Sequence, residues 1–291
     1  NLDRAQLVWS APRFDLIIGR QAIAWGAARV VNPTDVVAPF TYSELDTEDR
    51  VGVDAVRARI PVGLMNESDV GWVAGPDCDP EQSAFFLRAR LNAPPNDWSF
   101  TAVNFRENLL LGFDVTGPAG GWGWWLEAAF VFVDAFADTS ATGEEDDVRM
   151  SVGADHRLWT NGYGYVEYHY NGPGATRAEE TGSLSRAPYA EGAVYLTGKH
   201  YLAPGFTWQA SPLWSVGLNA LVNLRDPSAL VSPLAEYNIA ENVYLGFGAF
   251  IGVGAGLEQE WIADLPLPFY TIRSEFGRYP GLYYLSFRTY F

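Results

Sequence analysis

Arg57 and Arg59, and again Arg88 and Arg90, stand two residues apart. The first pair is interleaved with Val56, Ala58 and Ile60, the second with Phe85, Leu87, Ala89 and Leu91. Charged and apolar residues therefore alternate with period two, which places each pair of guanidinium groups on one face of a β-strand. Guanidinium stays ionised at any physiological pH and offers a planar fork of donors to carboxylates and phosphates. Acids occupy the same kind of position in later segments: Asp114, Glu127, Asp155, Glu167 and Glu236. A basic wall opposed by an acidic one would set a transverse field across a water-filled passage, and charged walls select solutes. Should the same charges pair with one another, the passage would be plugged instead.

Other chemistry finds little support. The three histidines, His156, His169 and His200, include no pair at ligand spacing, so a metal site is not expected. His169 shares a face with Tyr165 and Glu167, but no nucleophile accompanies them, and neither catalysis nor a cofactor is expected. Gly252 to Gly256 precedes no helix and carries no P-loop lysine. The single cysteine, Cys78, excludes an internal disulfide and sits in a loop-like Pro76 to Pro80 stretch. A formal charge of −16 argues against nucleic acid as a partner. The acids cluster at Glu44 to Asp49, Asp77 to Glu81, Glu144 to Asp147, Glu179-Glu180 and Glu258 to Asp264. They read as solvated loops, or as surfaces where divalent cations would bridge to lipopolysaccharide.

The elements that must hold these residues are strands. No apolar run reaches the roughly 18 residues of a membrane-spanning helix. Segments such as Trp122 to Phe132, Trp214 to Arg225 and Val243 to Val253 instead alternate cleanly, with Gly, Ser, Asn and Arg sharing one face. Each is about ten residues long, enough for a tilted strand to cross a bilayer. Trp9, Trp98, Trp122, Trp159, Trp208 and Trp214 lie at segment ends, where lipid meets water. Strands are expected at 2–10, 14–26, 51–62, 69–75, 83–93, 97–105, 108–116, 122–133, 148–159, 163–170, 194–210, 213–225, 229–239, 243–254 and 281–291. Tight turns such as Pro12-Arg13, Pro94-Pro95 and Ser211-Pro212 alternate with long breaks at about 27–50, 134–147, 171–192 and 255–279. Short turns on one side and long loops on the other predict one all-β domain over 1–291, a transmembrane antiparallel β-barrel of about 16 strands, about 15 of them in this chain. With Pro12-Arg13 as a short periplasmic turn, residue 1 falls outside, which implies a further N-terminal strand or a parsing error of one.

Two stretches carry a resemblance to known proteins. The terminal segment Leu282 to Phe291 sets Tyr283, Leu285, Phe287, Thr289 and Phe291 against Tyr284, Ser286, Arg288 and Tyr290. It resembles the last strand of Gram-negative outer-membrane β-barrels, whose final aromatic is read by the assembly machinery; Phe291 would be that signal. Gly19-Arg20-Gln21, Trp25-Gly26, Asn32-Pro33 and Asp35 resemble a stretch of the alginate-export-like porins. That likeness implies a passive conduit with Arg20 and Gln21 in the lumen and an inward-folded loop beginning at Asn32 to Asp35. Strict alternation instead puts Gln21, Ile23 and Trp25 opposite Arg20, and a bulge near Gly19 would reconcile the two. The expected function is a porin-like channel in a Gram-negative outer membrane, passing small polar or anionic solutes, with an export conduit for an acidic polymer as its more specific form. Its partners would be the bilayer, lipopolysaccharide and those solutes. The alternative is a non-conducting scaffold or anchor in a multi-protein outer-membrane complex.

Overall fold

The computed structural model describes residues 4–37, 52–79, 82–137, 145–176, 189, 194–260 and 269–290. The Phe291 signal, the acids at 44–49 and Glu179-Glu180 lie outside the described residues. The strands are β1 (Ala5–Ala11), β2 (Phe14–Gln21), β3 (Val53–Val62), β4 (Asn66–Val73), β5 (Ala84–Ala93), β6 (Asn96–Phe105), β7 (Asn108–Ala119), β8 (Trp122–Phe132) and β9 (Asp147–Trp159). They continue as β10 (Gly162–Asn171), β11 (His200–Gln209), β12 (Trp214–Asn223), β13 (Ser228–Ala240), β14 (Val243–Val253), β15 (Leu257–Glu260), β16 (Phe269–Ile272) and β17 (Leu282–Thr289). Fifteen of them form one antiparallel sheet in the order β1 to β14 and then β17. The hairpin β15–β16 stands within the long break after β14, a break expected to lack strands.

The strands form because side chains sort by face with period two. On β5, Phe85 and Leu87 are each more than half exposed while Phe86 is fully buried. On β14 and β17, Phe247, Leu285 and Phe287 are exposed, and Gly246 is covered. Apolar side chains turned outward on strand after strand are unfavourable in water and match the hydrocarbon-facing band of a transmembrane sheet. The arrangement predicts an asymmetric response to charge. Phe247→Arg, at mid-strand on the apolar face, should cost about 2–4 kcal/mol of stability in lipid vesicles. Ser286→Arg, at a half-buried position of the opposite face on β17, should cost far less. Guanidinium unfolding followed by tryptophan fluorescence measures both, and equal costs would refute the assignment of faces.

By internal contacts the chain divides into two compact units, Asn1–Val152 with Ser185–Tyr195, and Gly153–Leu184 with Leu196–Phe291. In the first unit the chain leaves β2 at Gln21, five residues before the expected end of the strand, and residues 22–37 fold against the inner face of the sheet. Ile23 and Trp25 join Phe86, Val103, Leu110 and Val131 in a buried cluster. Trp25 meets Phe86 edge to face, with ring centroids 4.7 Å apart. Alternation survives in 22–26 because alternate side chains point into that cluster, although the backbone makes no ladder.

In the second unit β17 pairs with β14 in the register Leu245↔Phe287, Gly246↔Ser286 and Gly248↔Tyr284. The terminal strand therefore presents the faces its sequence predicts. Strand β11 begins at His200 rather than at 194. The residues before it are held otherwise: Asn171 Nδ2 donates to the carbonyls of Leu196 at 2.7 Å and Gly198 at 2.9 Å.

Candidate functional site

The inner face of β3 to β7 carries the arginines, and the register decides what each one meets. Arg59 lies opposite Asp69, Asp69 opposite Arg88, and Glu67 opposite Arg90. Arg57 Nε sits 2.8 and 2.9 Å from the two carboxylate oxygens of Asp69, and its Nη2 reaches the same group. Both side chains are largely buried, with exposures of 14% and 5%. Arg88 donates to Ser99 Oγ at 3.0 Å and approaches Asp114 at 3.4 Å. Arg59 faces Glu67 at a looser 3.7 Å. Arg90 is exposed and has no ion-pair partner within 4 Å among the described residues.

The arginines do not form a basic wall without counter-charges; Asp69, Glu67 and Asp114 neutralise three of the four. The strand expected at 69–75 in fact spans Asn66–Val73, which brings Glu67 into it and sets both Glu67 and Asp69 on the face of Gly71. Counting back in twos from Gly71 reaches both acids, so the signal was present. Asp114 was expected on an opposing acidic wall, yet it stands on β7, two strands from Arg88 and bonded to it.

Glu127 departs furthest from expectation. It projects from β8 and is fully buried beneath residues 22–37. Its Oε2 accepts the backbone N–H groups of Ala27 at 2.8 Å and Ala28 at 2.9 Å. Its Oε1 accepts the Thr34 N–H at 2.9 Å and the Thr34 hydroxyl at 2.7 Å. Gly26 makes this approach possible: its φ is +102°, and a Cβ there would lie 2.5 Å from Glu127 Oε2. Thr34 and Asp35 are buried, so the stretch expected to begin an inward-folded loop does lie on the inner face. Beside it, Trp25, Gly26 and Ala27 close one side of a recess of about 250 Å³ whose other walls include Arg88, Arg90, Ser99 and Asp114.

Arg20 lies elsewhere. The β2–β3 register runs without interruption through Ile18↔Val56, Gly19↔Ala55 and Arg20↔Asp54, so no bulge turns Arg20 inward. It shares the face of Ile18 and Val56 and pairs with Asp54 at 2.7 Å. Gly19, at φ +119°, admits the neighbouring strand instead: a Cβ there would stand 2.3 Å from the Ala5 carbonyl oxygen. At the end of β2 a charged pair on the outer face is tolerable, because the cost of charge falls to about 0–1 kcal/mol near the interface.

In the second unit, Asp155 accepts the Tyr163 hydroxyl at 2.7 Å, and Glu236 forms an ion pair with Arg288 of β17. Glu167 and His169 are buried on the inward side of β10. Another carboxylate of this unit, Glu275, is held by several buried donors and carries no signal in the sequence. It accepts the Thr197 N–H at 2.8 Å, the Tyr201 hydroxyl at 2.6 Å and Asn223 Nδ2 at 2.8 Å. It belongs to a stretch without strand period, where no sequence signal marks one acid among several.

No protein-family model and no curated protein matches the sequence. Solved structures do. Pseudomonas aeruginosa OccD3 (OpdP) aligns with a TM-score of 0.54 at 11% identity, over 87% of this chain and 72% of its own. A double variant of OccD1 (OprD) aligns with a TM-score of 0.51 at 8% identity, over 82% of this chain and 70% of its own. The fold matches that of outer-membrane porin barrels, as a 15-stranded antiparallel sheet in which β1 and β17 are not paired among the described residues. In such barrels generally, the apolar face of the sheet meets lipid and the polar face lines the lumen.

Proposed function

We propose that the protein is a porin-like channel of a Gram-negative outer membrane, passing small polar or anionic solutes without energy input. The observation that carries this reading is the polar recess on the inner face of the first unit, bordered by Arg90, the arginine of the four with no carboxylate within 4 Å among the described residues. Arg57, Arg59 and Arg88 are held by acids, so the preference for anions rests on Arg90 and is modest. Outward passage of an acidic polymer, as in the alginate-export-like porins, is the more specific form of the same reading. It draws on the Gly19 to Gly26 and Asn32 to Asp35 likeness and on the inward placement of the latter stretch.

Planar-bilayer recording tests the proposal. The folded protein should give steady conductance, and Arg90→Ala should lower the anion-to-cation permeability ratio several-fold while leaving the protein folded. Absence of conductance, or a ratio indifferent to Arg90, would overturn it. The buried cluster of Ile23, Trp25, Phe86 and Leu110 on the inner face favours a second reading, a non-conducting scaffold. A blocked lumen together with a stoichiometric protein partner is the result that reading requires.

A further inference from the structure

Glu127 is a buried carboxylate with no arginine, lysine or histidine nitrogen within 4 Å among the described residues, which is an unusual situation for an acid. Its compensation comes from one segment. Three backbone N–H groups and one hydroxyl, all from residues 27–34, saturate both oxygens at 2.7 to 2.9 Å. That segment has no strand ladder of its own to hold it. It is tied to the sheet at other points too: Ser151 Oγ donates to the Val31 carbonyl at 2.6 Å, and Arg29 lies 5.0 Å over the Trp125 ring. Thr34 packs against the backbone at Gly112, where a Cβ would be 2.6 Å from Thr34 Cγ2. One carboxylate thus gathers four donors of this stretch over the inner face of the first unit, beside the recess that contains Arg88, Arg90 and Asp114.

We infer that Glu127 is a positioning residue that sets the size limit for solutes, by clipping residues 26–34 over the inner face of the sheet. The inference rests on the channel reading and makes it specific. With the clip intact, the segment narrows the way past the charged side chains of β5 and β7. With it broken, four donors lose their acceptor in a dry site, and the segment gains by moving to water. The charged recess then opens to larger solutes. Nothing about the chemistry of the solute needs to change, only the size that fits.

The test uses the full chain in lipid vesicles, with Cys78→Ser to remove the native thiol and Val31→Cys as a reporter inside the clipped segment. Glu127→Ala and the isosteric Glu127→Gln are compared with the parent, and heat-modifiable gel mobility shows that each has folded. The amide keeps one acceptor oxygen but turns an N–H₂ toward donors. Expected in both variants are a tenfold or greater rise in labelling of Val31→Cys by a charged thiol reagent, and swelling of vesicles in oligosaccharides that the parent excludes. Unchanged labelling overturns the inference, and so does faster labelling with an unchanged size limit, which would make the clip merely structural. A parent that admits no solute at all condemns the channel reading instead, so the two failures are distinguishable.

Discussion

Asp69→Ala is expected to destabilise the protein by about 3–5 kcal/mol, because it strands the largely buried Arg57 guanidinium without its counter-charge. Arg57 Nε and Nη2 both engage the carboxylate, so two charge-assisted bonds vanish with one side chain. Arg59 also lies opposite Asp69 in the register and would be left closer to an uncompensated neighbour. Asp69→Asn should recover a little by keeping an acceptor. The double replacement of Arg57 and Asp69 by alanine should be markedly milder than Asp69→Ala alone, since it removes the buried charge itself. Denaturant titration in vesicles measures all three. If the single and double variants lose the same stability, the pair is not acting as a coupled buried unit. The same series tests selectivity: Arg57, being neutralised, should influence it less than Arg90.

The second large effect is predicted at Glu275. Glu275→Ala removes the acceptor for the Thr197 N–H, the Tyr201 hydroxyl and Asn223 Nδ2, all in buried surroundings. Each orphaned buried donor costs about 1–3 kcal/mol, so a loss of about 3 kcal/mol or more is expected for the variant. Tyr201→Phe leaves the carboxylate its other bonds but strips the buried Gly198 N–H of its acceptor, and should cost about 1–3 kcal/mol, less than Glu275→Ala. The residues around it would respond first: the Asp226 carboxylate holds the Glu275 N–H, and Ser228 Oγ accepts the Phe276 N–H at 3.2 Å. Faster amide hydrogen exchange at Thr197 and Phe276, before global unfolding, is the signature to look for. Exchange in this stretch that is unaltered in Glu275→Ala would show that the carboxylate is not what anchors it.

The strands, their faces and the membrane environment were legible in the sequence, because a period of two is a local property: each residue votes for its own face. Leu282 to Thr289 illustrates this, with Leu285 and Phe287 outward and Ser286 and Tyr284 inward, as counting in twos predicts. Arg88 and Arg90 were likewise placed on one face by spacing alone. What those charges do was decided by neighbours distant in sequence. Arg57 is neutral in effect because β4 returns beside β3 and brings Asp69 to it, and Arg88 because β7 brings Asp114 within reach. Glu127 looked like one more lumenal acid, and only the descent of residues 22–37 onto the sheet makes it a buried clip. Glu275, in a stretch without period, had no sequence signature whatever. Periodicity reports the side of the sheet on which a residue stands; hydrogen bonds between segments 50 to 100 residues apart report its role, and those exist only once the chain has folded.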